Sequence, residues 1–184
     1  MAQPLYMQVL MEKRMSNSIE NNGGQFANGQ ASCDLPFNSE ISEQFPAPIG
    51  KLLGLKLLQA ENGTAVVEFV ADERHTNPMG TLTGGVSSLI ADVAMGFAYS
   101  TTLAADESFA AVELKINFLR PVWKATLRAE ARVVHAGKVV GLVECDILDE
   151  RQRLIARASS TCMTLRGQLA EGRQLTMTRT TAGK

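Results

Sequence analysis

The residues best suited to chemistry lie in one stretch, 75–96, with the sequence HTNPMGTLTGGVSSLIADVAMG. Gly84 and Gly85 stand where an apolar helix is predicted to begin, and paired glycines permit unusual backbone angles and the close approach of a ligand. The first amides of a helix have no intrahelical acceptor and lie at the positive end of its dipole. We therefore expect a place for an oxygen that gains negative charge, such as a thioester carbonyl. A tight loop without a ligand would show the same glycine pair.

Asp92 is the one acidic residue of this predicted helix and follows Gly84 by eight positions. Burying a carboxylate without a partner is costly, so we expect Asp92 to have a dedicated contact or to face a cleft. The alternative is a structural aspartate that binds an arginine or a backbone amide. The spacing places Asp92 about two turns into the helix.

The elements that must position these residues follow from hydrophobic patterning. Residues 84–102 are apolar nearly all round, which predicts a long central helix that is buried on every side and enclosed by strands. Two strands joined by the Asn62-Gly63 turn precede the helix, and alternating apolar and polar residues predict four strands after it. Strands joined by short turns pair antiparallel. We therefore predict an α+β fold, an antiparallel six-stranded sheet wrapped around the helix, with a meander of the last four strands.

Composition excludes several classes of protein. The chain has 184 residues with 18 Lys and Arg against 19 Asp and Glu, which argues against a nucleic-acid binder. The histidines and cysteines form no CxxC or HExxH motif, so we expect no metal site. No apolar run approaches the roughly 20 residues that span a bilayer, and no signal peptide is recognisable, so we expect a cytoplasmic protein without membrane contact. We predict a flexible leader over residues 1–34, a folded domain over 35–166 and a loose tail over 167–184.

The pattern Asn77-x-x-Gly80-x-x-Thr83-Gly84-Gly85, with Asp92 in register, resembles the PaaI-like, phenylacetate-degradation type of acyl-CoA thioesterases in the hotdog-fold superfamily. The later segments INFLRPV, His-Ala-Gly-Lys and RLIARASSTCMTL match as well. The resemblance covers about residues 50–165, essentially the whole predicted domain. It implies a hotdog fold and hydrolysis of a thioester to a free acid and coenzyme A.

The resemblance also implies a role for each matching residue. The backbone N–H of Gly84 would polarise the thioester carbonyl, and Asn77 would hold that carbonyl or the attacking water. Asp92 would be the nucleophile or the general base. The active site would form across the interface of a homodimer or homotetramer. No metal or cofactor is implied other than coenzyme A as part of the substrate.

Two departures from the family pattern bear on turnover. Thr83 is the fourth candidate catalytic residue and stands where the family frequently has a histidine. A threonine hydroxyl donates a hydrogen bond but is not a charged acid near neutral pH. Ala110 and Ala111 stand where many members carry a serine or threonine that orients water. These departures motivate an alternative, a non-catalytic acyl-CoA binding or sensing hotdog protein. A hotdog hydratase would need a histidine near the helix, and none is placed there.

Candidate coenzyme A contacts lie at the helix start and at strand ends. Gly85 is assigned to substrate binding with Gly84, and similar hotdog proteins place basic groups such as Arg120 and Lys138 against the phosphates of coenzyme A. Solvated strand-end charges are the alternative for either one. His75 precedes the Asn77 loop, and we expect a surface or hairpin-end histidine.

Overall fold

The computed structural model describes residues 47–173. Two helices and six strands make up the domain in chain order: α1 Pro48–Leu53, β1 Lys56–Glu61, β2 Thr64–Ala71, α2 Gly84–Ser100, β3 Ser108–Phe118, β4 Ala125–Ala136, β5 Val140–Leu148 and β6 Leu154–Leu165. Short 3-10 helices occupy Glu73–His75 and Gly167–Leu169. The predicted order of two strands, one long helix and four strands is confirmed.

The strands form one antiparallel sheet in the order β1-β2-β4-β5-β6-β3. Alternation in β2 places Ala65, Val67, Phe69 and Ala71 on the face that packs against the core, and all four are fully buried. The same face carries α2 through the buried side chains of Ile90, Ala91, Ala94, Met95 and Ala98. The predicted α+β architecture, a six-stranded antiparallel sheet around a long helix, is confirmed.

The predicted meander of four strands is wrong for its first strand. Only β4, β5 and β6 follow one another, whereas β3 pairs with β6 at the edge of the sheet. After β3 the chain continues into the linker 119–124. There the amides of Leu119 and Arg120 both donate to the carbonyl of Ile155, at 2.9 and 3.1 Å. Pro121 then has no N–H to continue a ladder, and the chain crosses the end of the sheet to β4.

The expectation that α2 is buried on every side is not met within residues 47–173. Gly85 and Asp92 are exposed, and the side chains between them on that face are only partly covered. The physical reason is that one sheet covers one side of a helix, and no element of residues 47–173 lies over the other side. We call this surface the open face of α2; it comprises Gly85, Ser88, Leu89, Asp92 and Val93.

The predicted leader 1–34 lies outside the described residues, and the domain limits at 35 and 166 stay predictions. Beyond Arg166, the side chain of Ala170 is buried, and the hydroxyl of Ser108 donates to the carbonyl of Arg173 at 2.6 Å. These contacts attach residues 167–173 to the start of β3. In residues 47–173, no helix is long and apolar enough to cross a membrane.

Candidate active site

The loop that leads into α2 is held by a capped 3-10 turn. The Asp72 carboxylate accepts from the amide of Arg74, and Nδ1 of His75 accepts from the amide of Asp72 at 3.2 Å. The imidazole is only 9% exposed and packs edge-on against the ring of Phe69, with centroids 4.8 Å apart. Of the expected surface or hairpin-end histidine, the surface location is wrong: the short turn after β2 folds the imidazole of His75 back against Phe69, where its Nδ1 fixes the loop.

Asn77 organises the next turn of the loop. Its Oδ1 accepts from the amides of Met79 and Thr81 at 2.9 and 3.3 Å, and its Nδ2 donates to the Thr81 hydroxyl at 3.0 Å. Gly80 follows with a φ of 77°, a left-handed conformation that glycine adopts without steric cost. These contacts assign Asn77 a structural role in the loop and leave one Nδ2 hydrogen for a ligand.

The start of α2 presents its amides as the sequence predicts. Thr83 is the N-cap residue, its amide donates to the carbonyl of His75 at 3.0 Å, and its side chain makes no capping bond. Gly84 and Gly85 are the first two helical residues, so their amides have no intrahelical acceptor. A Cβ on Gly84 would lie 2.8 Å from Cζ of Phe118, so glycine allows that ring to pack against the helix start. Gly85 faces open space.

A first cavity of about 420 Å³, here the amide cavity, adjoins this helix start. It is lined by Asn77, Gly84, Ser87, Phe118 and Arg120 among others. The guanidinium of Arg120 donates to the carbonyl of Leu154, which holds this cation at the rim. The structure thus brings three predicted site residues together, Asn77, Gly84 and Arg120, with free amides and a positive charge at one cavity.

A second cavity of about 340 Å³, here the Asp92 cavity, lies farther along α2. Its walls are mostly apolar and include Val93, Met95, Phe109 and Ala111 beside Asp92. Desolvation by these walls raises the pKa of Asp92 above its ordinary value of 3.8. Within residues 47–173, no cation pairs with this carboxylate.

The floor of the Asp92 cavity carries Ser160 and Cys162 from β6. The Ser160 hydroxyl donates to the carbonyl of Glu113 at 2.7 Å, beside the bulge in β3. Burial, together with the negative charge of Asp92, raises the pKa of the Cys162 thiol, so it remains protonated at neutral pH. The neighbours of Asp92 are therefore neutral.

A single chain does not bring Asp92 to the amide of Gly84. Asp92 follows Gly84 by eight positions, which is roughly 12 Å along the helix axis, and the two residues line different cavities. Lys138 lies in the β4–β5 turn, beside the C-terminal end of α2, where its carbonyl accepts from Arg166. Lys138 is thus remote from Arg120, which lies at the other end of the domain. The site roles of Asp92, Gly85, Thr83 and Lys138 stay predictions.

Sequence reasoning missed Phe109 and Phe118, which shape the two cavities from β3. Both rings pack against glycines of α2, Phe118 on Gly84 and Phe109 on Gly96. A pair of aromatic residues at the ends of one strand is visible in the sequence, but their contacts depend on how β3 packs against the helix.

No cluster of three or more His, Cys, Asp or Glu side chains able to hold a metal occurs in residues 47–173.

Comparisons with known proteins match the part of the chain that carries this site. The family model described as thioesterase superfamily matches residues 79–156, a stretch that contains Gly84, Asp92 and Arg120. An esterase candidate from Saccharolobus solfataricus is 36% identical over 118 residues, 64% of this chain and 84% of that protein. The 1,4-dihydroxy-2-naphthoyl-CoA hydrolase of Listeria monocytogenes is 29% identical over 109 residues, 59% of this chain and 89% of that enzyme.

The acyl-coenzyme A thioesterase PaaI of Escherichia coli is 31% identical over 107 residues, 58% of this chain and 74% of PaaI. The solved structure of the E. coli PaaI protein, from the phenylacetic acid degradation operon, superposes with a TM-score of 0.62 at 27% identity and covers 66% of this chain and 86% of that chain. The structural similarity therefore extends over about two thirds of this chain.

Proposed function

The chain belongs to the thioesterase superfamily, and from that premise we propose that it hydrolyses acyl-CoA thioesters without a metal ion, at a site shared by two copies of the chain. The hotdog fold that the resemblance implied is confirmed by the sheet order and by the superposition on PaaI. One observation carries the proposal: the Asp92 carboxylate, which pairs with no cation of residues 47–173, stands at a mostly apolar cavity on the same helix whose first amides have no intrahelical acceptor.

Each step of hydrolysis has a group suited to it. The free amide of Gly84 donates to the thioester oxygen and stabilises the negative charge that develops there. The Asp92 carboxylate removes a proton from water, and the resulting hydroxide adds to the carbonyl carbon. The C–S bond then breaks, and the proton passes to the departing sulfur to give the free acid and coenzyme A. Direct attack by Asp92 followed by hydrolysis of the anhydride uses the same ionised carboxylate.

Thr83 is compatible with this chemistry. A thiol has an ordinary pKa of about 8.5, so a thiolate leaves far more readily than an alkoxide. Departure of the sulfur therefore does not require the charged acid that a histidine would supply. Thr83 occupies the N-cap position through its backbone alone: its amide donates to the carbonyl of His75, and its carbonyl accepts from the amide of Val86.

A second copy of the chain brings an Asp92 carboxylate close to a Gly84 amide, which one copy does not do. β3 is an edge strand of 11 residues, with exposed side chains along most of its length, and such an edge favours pairing with another strand. A two-fold axis makes the paired β3 strands and the two α2 helices antiparallel. With the axis near Ser88, midway between Gly84 and Asp92, the amide of one copy faces the carboxylate of the other. The open face of α2 is then covered.

The non-catalytic acyl-CoA binder is the second candidate, and one observation favours it. Ala111 lines the Asp92 cavity with a methyl group where a hydroxyl would orient water, and the Ser160 hydroxyl is engaged by the Glu113 carbonyl. Such a protein would bind acyl-CoA in both cavities without turnover.

The test measures release of coenzyme A from short, medium and aromatic acyl-CoAs by wild type, Asp92→Asn and the control Asp106→Asn, an exposed aspartate outside both cavities. We expect Asp92→Asn to lower kcat roughly 10²- to 10⁴-fold, as removal of a general base does. Asp106→Asn and treatment of wild type with a chelator should leave kcat unchanged. Binding without hydrolysis by wild type supports the second candidate. Full activity in Asp92→Asn excludes the role of that carboxylate.

The shared site is tested by mixing two inactive variants. Gly84→Pro removes the amide donor at a position where proline suits a helix start, and Thr83 already has φ −66° and ψ 137°, as a residue before proline prefers. Gly84→Ala, which keeps the amide but adds the same Cβ beside Phe118, is its control. Mixed dimers of Gly84→Pro and Asp92→Asn contain one intact site, so re-equilibrated mixtures should recover roughly a quarter of the wild-type rate. A mixture that stays inactive excludes the shared site.

A further inference from the structure

Phe109 separates the Asp92 cavity from a smaller cavity behind it. The rear cavity has a volume of about 160 Å³ and is lined by Ser100, Leu103, Glu107 and Ser108, with Phe109 as the residue it shares with the Asp92 cavity. Apart from Asp92, Ser160 and Cys162, the residues that line the front cavity are apolar, whereas three of the seven residues that line the rear cavity carry a carboxylate or a hydroxyl. The phenyl ring of Phe109 is therefore a partition between a mostly apolar and a more polar space.

The ring of Phe109 is held from two sides. It packs edge-on against Tyr99, with centroids 5.6 Å apart and an interplanar angle of 75°. It also lies against Gly96, where a Cβ would be 3.2 Å from Cζ of Phe109, so the absence of a side chain at 96 gives the ring its place. Tyr99 is itself fixed, because its hydroxyl is hydrogen-bonded to that of Thr164 at 2.8 Å in the core. The partition is consequently rigid.

The partition lies in the direction in which an acyl chain would extend. Gly96 follows Asp92 by one helical turn, roughly 6 Å along α2, and both line the front cavity. A thioester carbon beside Asp92 therefore points its acyl group past Val93 and Met95 toward Phe109. Both side chains are apolar, which suits an alkyl or aromatic acyl group.

We propose that Phe109 is the specificity-determining residue that limits acyl length, because its ring ends the apolar cavity and excludes the chain from the rear cavity. The inference rests on the proposed function for the identity of the ligand, but it concerns binding and does not require turnover. Each methylene buried in the front cavity strengthens binding about fourfold. Methylenes that would have to pass Phe109 add nothing to the affinity. Affinity therefore rises with acyl-chain length and then stops rising, and we call the chain length at which the rise stops the break.

Two substitutions move this break in opposite directions. Phe109→Ala joins the two cavities and shifts the break to longer chains. Gly96→Ala places a methyl group in the front cavity and against the ring, which shifts the break to shorter chains. Because alanine favours a helix more than glycine does, Gly96→Ala tests the inference even where Phe109→Ala does not fold. Trp123→Ala, an exposed aromatic residue in the β3–β4 linker, is the control and leaves the break in place.

The experiment measures binding of hydrolysis-resistant thioether analogues of acyl-CoAs, in steps of two carbons, by calorimetry on the full chain, with kcat/KM for the matching thioesters in parallel. The inference is supported if the break moves to longer acyl chains in Phe109→Ala or to shorter chains in Gly96→Ala. The affinity for acyl chains next to the break, relative to wild type, should then change by at least fourfold. The same break in wild type and both variants overturns it. If the protein hydrolyses acyl-CoA but the break does not move, the proposed function stands and this inference fails. If the break moves but no hydrolysis occurs, this inference stands and the proposed function fails.

Discussion

Gly141 in β5 gives the sharpest stability prediction, because the Tyr99 ring occupies the space where a side chain at 141 would lie. A Cβ there would be 2.2 Å from Cε2 and 2.8 Å from both Cζ and the hydroxyl oxygen of Tyr99. Tyr99 is 1% exposed, and its hydroxyl is bonded to Thr164. In Gly141→Ala the ring must retreat by roughly 1 Å to reach ordinary contact, in a core without room to spare.

The cost follows from three effects. Overpacking of a filled core costs about 1–3 kcal/mol, and loss of the Tyr99–Thr164 hydrogen bond costs about 1 kcal/mol. Alanine in a strand regains about 0.5–1 kcal/mol relative to glycine. We therefore expect Gly141→Ala to lower the free energy of unfolding by about 2 kcal/mol. At about 4 °C per kcal/mol for a domain of this size, the Tm should fall by roughly 8 °C.

Urea unfolding of Gly141→Ala, Tyr99→Leu and the double variant measures the contact itself. Leucine at 99 lacks the three tyrosine side-chain atoms nearest to the new Cβ, so alanine at 141 should cost little in that background. The expected coupling free energy between the two positions is about 2 kcal/mol, which is at the upper part of the range for residues in contact. An equal cost of Gly141→Ala in both backgrounds, or no cost in wild type, would refute the assignment of strain to Tyr99.

Two further predictions concern Asp92, whose pKa is raised from 3.8 by desolvation. The ionised carboxylate is the active form, so kcat/KM should fall on the acid side through a pKa above 3.8, and a limb at or below that value contradicts the burial argument. Protonation of Asp92 stabilises the folded state below the unfolded pKa, and this contribution is lost as the pH rises through the raised folded pKa. Asp92→Asn should therefore melt at a higher temperature than wild type at pH 7, with the difference closing toward acid pH, and a lower Tm at pH 7 would count against it.

Some of the site was predictable because its residue types are rare in their setting. The sequence shows a glycine pair, Gly84 and Gly85, at the start of an apolar run. It also shows one acidic residue, Asp92, within that run. The helix and the burial of alternate residues in β2 followed from the same hydrophobic pattern. These features depend on local sequence, so periodicity alone reveals them.

The remaining features depend on neighbours that periodicity does not specify. The pairing of β3 with β6 is set by the path of the linker after Phe118, and alternation defines the faces of a strand but not its neighbour. Residues 84–102 are apolar nearly all round, and this pattern predicts burial of α2 without stating which chain covers its open face. His75 and Phe109 have their roles through contacts with Phe69, Gly96 and Tyr99, which lie on other elements.

The pairing of β3 with β6 sets the order in which the domain closes during synthesis. The edge strand ends at Phe118, but its partner ends at Leu165, so at about 5–20 residues per second the ribosome releases that partner several seconds later. Until then the apolar side chains of β3 have no strand beside them, and the β1–β2 hairpin and α2 are complete without a finished sheet. A nascent chain stalled before Leu154 should therefore hold the longest edge strand unpaired, and we expect chaperones to engage it at that stage. Synthesis of the 12 residues of β6 is therefore the step that pairs one side of β3 and completes the sheet.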